Sequence, residues 1–363
     1  MKRAAALGQW VNDRPLSMEE RLDMGGGELV SGRTGSPRDE ARGDLWRGAV
    51  TAGGAEGERG VQKGMVMATG KTLAVRGFLI HLTHYDPVWY RRKSRENPFD
   101  MEVALEVVDA LAEEGFNLLV IDVADAVKYR SHPELARRYT VPMKQLEKLA
   151  AEARRKGLEV APKLNFSRSS GVHHHNDWML GPKEEWYDHF DDEAWWKKGF
   201  ELIDELIGVC KPKRFLHVGM DEDHDRSYSQ YIQTIKGLHA GLKKRKLRAL
   251  IWNDTGIEYD SGMIHAEKSL TAETAIPTDI VQVLWRYDAV PAASIKRIAK
   301  LGFDLWGAPG PRSAAGAAAF REAVLRAGGK GLLMTMWIPC RPSNRRRLLD
   351  GIRRMGPVYR GEE

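Results

Sequence analysis

From Val75 onward, short apolar runs alternate with longer stretches in which apolar residues recur every three or four positions. The short runs fit strands of a buried parallel sheet, and the longer period fits the helices that cover it. The first strand is Arg76–Leu82, and a helix follows from the N-cap Asp100 to a stop at Gly115. The second strand is Asn117–Asp122. Its helix has Pro142 near the start, an apolar stripe at Met143, Leu146, Leu149, Ala150 and Ala153, and Gly157 after the end. The third strand, Leu158–Leu164, leads into a long loop and then a helix from about Asp192 to Val209. Strand four opens at Arg214, and a helix with Ile232, Ile235, Leu238 and Leu242 on one face follows it. Strand five is Leu247–Trp252, strand six Ile280–Trp285, strand seven Phe303–Trp306 and strand eight Gly331–Trp337. Helices are expected after Pro291, after Ser313 and over Arg345–Met355, whereas Gly256–Pro277 shows no clean period.

Eight strands alternating with seven or eight helices over about 250 residues predict a single α/β domain, a (β/α)8 TIM barrel, over residues 71–363. A doubly wound open sheet is the competing arrangement. It normally carries a Gly-rich first turn, and none follows strand one. Residues 1–70 are rich in Gly, Arg, Glu and Ser without a sustained period, and are read as a low-complexity, disordered extension. Met65 or Met67 is an alternative start within it.

In a parallel barrel the carboxyl ends of all strands face one mouth, where active sites form. Strand four ends in Asp221-Glu222, and strands five to eight each end in tryptophan: Trp252, Trp285, Trp306 and Trp337. An indole gives a flat platform for the apolar face of a sugar ring and an N–H for a hydroxyl. The plainer reading is that these rings cap the barrel core; four together favour a pocket. Paired acids among aromatic rings suit glycosidic cleavage, which needs a proton donor for the leaving oxygen. Neighbours on a strand point to opposite faces, so Asp221 and Glu222 share a pocket only if the backbone leaves strand geometry there. Strand-end electrostatics alone is the bland alternative for this pair.

Composition narrows the classes. Apolar content of 42% and charged content of 29% suit a soluble globular protein, and no apolar run approaches a membrane span. Lys+Arg 56 against Asp+Glu 50 gives +6, but the basic clusters Lys243–Lys246 and Arg345–Arg347 fall at helix ends without interleaved aromatics. Nucleic acid is therefore not an expected partner, and neither is a membrane. Cys210 and Cys340 are too few for a disulfide framework, and the amino-terminal residues make a poor signal peptide, so a cytoplasmic location is expected. The run His173-His174-His175 invites a metal, yet it lacks the spacing by which histidines converge on one ion. No metal and no cofactor are expected; one histidine of the loop is read as an acid–base partner.

The segment His217-Val-Gly-Met-Asp221-Glu222 resembles the His-x-Gly-x-Asp-Glu signature of glycoside hydrolase family 20, the β-N-acetylhexosaminidases. Asn117–Asp125, continuing through Tyr129 to His132-Pro133-Glu134-Leu135, is similar to that family's second strand and loop, and the histidine loop matches in place. The resemblance implies a retaining, substrate-assisted mechanism on a carbohydrate. Asp221 would orient the 2-acetamido group, whose oxygen attacks the anomeric carbon, and Glu222 would protonate the leaving oxygen and later activate water. It further implies a tuning pair of His175 (or His173) with Asp125 and a sugar-binding Arg76, while Asn253 and the four tryptophans are read as sugar contacts from their place at the strand ends. Three positions depart from the family pattern: Leu305-Trp306-Gly307 stands in place of a tyrosine and an aspartate, Trp337-Ile338-Pro339 lacks a carboxylate, and Asn165 replaces an aspartate. A non-catalytic carbohydrate-binding barrel and a metal-dependent hydrolase are the alternative readings.

Overall fold

The structure is a computed structural model that describes residues 72–83, 96–168, 193–257 and 264–362. By contacts the chain divides into Met1–Gly70 and Lys71–Glu363, and the first of these lies outside the described residues. In the second unit eight parallel strands close into a barrel: β1 (Val75–His81), β2 (Leu118–Asp122), β5 (Glu159–Lys163), β6 (Phe215–Gly219), β7 (Arg248–Asn253), β8 (Val281–Trp285), β9 (Asp304–Ala308) and β10 (Gly331–Pro339). Closure comes from β10 pairing with β1, Val75 opposite Gly331. The helices are α1 (Met101–Glu113), α2 (Met143–Arg155), α3 (Glu193–Cys210), α4 (Tyr228–Lys244), α5 (Ile264–Glu273), α6 (Ala292–Lys300), α7 (Ala314–Arg326) and α8 (Arg345–Arg360). A short parallel pair, β3 (Val127–Lys128) with β4 (Val141–Pro142), pins the loop after β2.

Local chemistry sets the boundaries. The Val103 N–H donates to Asp100 Oδ1 at 2.9 Å and starts α1, and Ser227 with Gln230 forms a reciprocal capping box on α4. The unpatterned segment after Gly256 contains α5, whose buried residues include His265, Lys268, Ser269 and Glu273. Its inner face packs against polar groups, so the apolar period that normally reveals a helix is missing.

Two apolar clusters divide the core. The larger lies between strands and helices; the smaller fills the barrel with Val75, Leu79, Leu118, Val120, Ala161, Phe215, Leu250, Val283 and Leu333 among others. Side chains alternate along each strand, so the same parity that sends these residues inward also sends His81, Asp122, Lys163, His217, Trp252, Trp285 and Trp337 inward at the upper level. That ring is the floor of the carboxyl-end mouth.

Candidate active site

At the end of β6 the backbone leaves strand geometry. Gly219, Met220 and Glu222 all have positive φ (73°, 74° and 47°), and the pairing with β7 shifts register between His217 and Gly219. Gly219 is forced by proximity as well as by φ: a Cβ there would stand 1.9 Å from Asn165 Oδ1. That oxygen accepts from the Met220 N–H at 3.2 Å and from the Ser167 hydroxyl at 2.6 Å, while Asn165 Nδ2 donates to Asp221 Oδ1 at 2.8 Å. The amide thus fixes the turn and the carboxylate together. The Ser167 hydroxyl also lies 3.3 Å from Asp221 Oδ1, and the Tyr231 hydroxyl donates to the Met220 carbonyl at 2.9 Å. The Glu222 N–H donates to Asp254 Oδ2 at 2.8 Å. Burial, followed by the charges of Asp221 and Glu222, pushes the Asp254 carboxyl well above the usual carboxylate range.

Beside this turn the floor is polar. Asp122 Oδ2 receives Lys163 Nζ at 2.8 Å and lies 3.0 Å from His81 Nδ1, all three buried. His217 Nδ1 accepts the Gly219 N–H at 3.0 Å, which leaves the ring proton on Nε2. Desolvation, with the Lys163 charge adding to it, pulls the His217 pKa down to about 3, so the ring is neutral at physiological pH. Burial likewise lowers that of His81, against the raising effect of Asp122.

The other side is aromatic. Trp252 packs on His217 at 4.7 Å between ring centroids and on Trp337 at 5.9 Å. Trp337 in turn lies 4.8 Å from His81. Trp285 donates its indole N–H to Asp254 Oδ1 at 2.7 Å, and Trp337 donates its own to the Tyr287 hydroxyl at 2.7 Å. Tyr287, 5.5 Å from Trp285, lies over Gly310, where a Cβ would stand 2.7 Å from its ring. Trp285 and Trp337 are half-buried, while Trp252 is 1% exposed and forms floor rather than wall.

Three expected site residues stand elsewhere. Arg76 is the second residue of β1, at the amino-terminal mouth, donating Nε to the Gly115 carbonyl at 2.6 Å and Nη1 to the Leu73 carbonyl at 2.9 Å. Asn253 has the outward parity of β7. Its Nδ2 donates to Glu273 and Gln282, each at 3.0 Å, and its Oδ1 accepts from Thr255. Trp306 points inward but one level too low: it pairs with Gly331, the first residue of β10, and meets Phe215, the first of β6, at 5.1 Å. Asp125 is buried near the strand ends, accepting from the Tyr139 hydroxyl at 2.5 Å, with Arg137 Nε 3.8 Å away. His173 and His175 lie outside the described residues. Among the described residues no group of His, Cys, Asp and Glu has the arrangement to hold a metal ion, and no helix is long and apolar enough to cross a membrane. Cys210 and Cys340 are buried and unbridged. From the sequence Asp254 counts among the strand-end residues at the mouth but is given no role, and Tyr287 is missed; its only signal was its position just past an inward strand-end tryptophan.

The fold and this strand-end site define a (β/α)8 barrel with acids and tryptophans at its carboxyl mouth. No protein-family profile matches the sequence, and no curated protein does. Among solved structures the chain is similar to glycoside hydrolase family 20 barrels. Against Dispersin B it has 14% identity and a TM-score of 0.53, covering 80% of this chain and 99% of that one. The β-N-acetylhexosaminidase of Streptomyces coelicolor matches at 15% identity and TM-score 0.54, over 78% of this chain and 64% of its own. That of Bacteroides fragilis matches at 11% and 0.55, over 78% and 65%. Likeness at such identities establishes the shared barrel; the chemistry rests on the residues above.

Proposed function

We propose that this protein is a glycoside hydrolase with retaining, substrate-assisted β-N-acetylhexosaminidase-like chemistry. The observation that carries the proposal is the strained turn at the end of β6, which brings Asp221 and Glu222 out of strand alternation, with Asn165 holding Asp221. Asp221 orients the 2-acetamido group so that its oxygen attacks the anomeric carbon. Glu222 gives its proton to the leaving oxygen, and then takes one from the water that opens the cyclic intermediate. Asp125 with His175 tunes that proton. Trp285 and Trp337 offer ring faces to the sugar over the Trp252 floor. Support also comes from the similar fold of a Streptomyces plicatus β-hexosaminidase solved with GlcNAc, 15% identical with a TM-score of 0.53.

Hydrolysis of aryl N-acetyl-β-glucosaminides, with and without chelator, tests the reading. Turnover insensitive to chelator supports it, and loss with chelator favours a metal-dependent hydrolase. Sugar binding without turnover favours a binding barrel, a reading helped by the distance of Arg76 from the mouth. A thiazoline analogue of the cyclised intermediate should bind far more tightly than substrate; equal affinity would defeat substrate assistance.

A further inference from the structure

Asp254 begins the single helical turn that follows β7, and its side chain is fully buried. One carboxylate oxygen accepts the Glu222 backbone N–H at 2.8 Å and the other accepts the Trp285 indole N–H at 2.7 Å. The two donors come from the ends of β6 and β8, the strands on either side of β7. We propose that Asp254 is a positioning residue that locks the proton donor Glu222 and the sugar platform Trp285 into one fixed relation. This rests on the glycosidase reading, which gives those two residues their roles.

Three observations lead to it. Glu222 sits at φ 47°, a conformation costly for a residue with a Cβ, so an outside acceptor on its N–H is what keeps the turn in place. The anchor is itself anchored: Ser269 Oγ lies 3.3 Å from the Asp254 N–H, and the Tyr231 hydroxyl lies 3.4 Å from Ser269 while holding the Met220 carbonyl. Burial pushes the Asp254 carboxyl up while the Trp285 and Glu222 N–H groups pull the other way, so the two bonds work against the cost of enclosing the acid. A side chain of this kind transmits sugar docking on Trp285 to the backbone that carries the acid.

The test uses the full chain with Asp254→Asn, Asp254→Ala, Trp285→Phe and the double variant Asp254→Ala/Trp285→Phe. In Asp254→Asn an amide NH2 faces two donors, so either the Glu222 amide or the Trp285 indole N–H loses its acceptor and exchanges at least about tenfold faster by NMR. In Asp254→Ala both exchange faster. Turnover falls about 10- to 100-fold on substrates with poor leaving groups and much less on activated aryl glycosides, because acid assistance is what becomes misplaced. Trp285→Phe alone raises KM several-fold, and costs clearly less in the Asp254→Ala background. Unchanged exchange in the isosteric Asn variant, equal losses across leaving groups, or additive effects overturn the proposal. Exchange is read without turnover. A wild-type protein that hydrolyses none of these glycosides removes the glycosidase reading, while the exchange rates still support or overturn the placement of the two groups by Asp254.

Discussion

Around the mouth, β1, β2, β5 and β6 present His81, Asp122, Lys163 and His217 inward, whereas β7, β8 and β10 present Trp252, Trp285 and Trp337. The polar half is bonded into itself: Lys163 and His81 share one oxygen of Asp122, and His217 takes the N–H of Gly219 two residues on. Buried charge without such partners would cost several kcal/mol, on the order seen for broken buried pairs, so this half is an all-or-none unit. The aromatic half is bonded outward from its edges. The indole N–H groups of Trp285 and Trp337 are taken by Asp254 and Tyr287, which fixes the ring planes and leaves the faces for contact. The polar half is therefore fixed by its own bonds, and the other half offers surface for stacking.

The largest effect expected belongs to the acid between the halves. Glu222→Gln keeps shape but cannot donate a proton, so turnover should fall about 10²–10⁴-fold with binding kept. Substrates with activated leaving groups should partly escape, and an equal loss on both would remove Glu222 from the acid role. Next is the polar half. Lys163→Met leaves Asp122 with its neutral histidine neighbour and should cost about 3–5 kcal/mol in urea unfolding. Adding Asp122→Asn should recover part of that, and a single variant as stable as wild type would show the pair to be incidental.

His217 supplies a pH signature. Its folded pKa of about 3 lies below the unfolded value, so the unfolded chain binds the extra proton between about 6.5 and 3. Stability is then present above about pH 6.5 and is lost as pH falls through that window, by an amount on the order of 5 kcal/mol. His217→Gln should flatten this acid limb when unfolding midpoints at pH 4.5 and pH 7 are compared; an unchanged slope would assign the limb to other groups. The smallest effect tests the aromatic half. Trp337→Ala should weaken sugar binding by about 1 kcal/mol, seen as a several-fold rise in KM. Trp306→Leu, one level lower, should reduce stability and leave KM unchanged. If Trp306→Leu moves KM as much as Trp337→Ala, the separation of levels fails.

Most of the barrel was legible because its strands and helices carry different apolar periods. The exception, α5, buries Lys268, Ser269 and Glu273 beside only the small Ala266 and Ala272, so no large apolar residue marks its inner face. The site was legible only as far as strand ends are. Asn253 follows Trp252 by one residue, and parity turns it outward to Glu273 and Gln282. Trp306 has the right parity, but β9 continues to Ala308 and the register with Gly331 sets the ring below the mouth. Arg76 is the second residue of β1, where no strand-end rule applies to it. Asp254 could be seen as a strand-end acid, but its convergence of two N–H donors from neighbouring strands is a property of the closed barrel alone.

The seam where β10 meets β1 has a kinetic consequence. It joins segments separated by most of the chain, the costliest kind of contact to form early, so barrel closure is expected late in folding. The His81–Trp337 contact spans that seam, and the Cys340 N–H reaches the His81 carbonyl across it at 2.9 Å. Asp221, Glu222 and Asn165 can be brought together by the middle of the chain, but Trp337 joins them only when the last strand docks. A nascent chain that has emerged as far as β9 therefore carries both acids and no finished pocket.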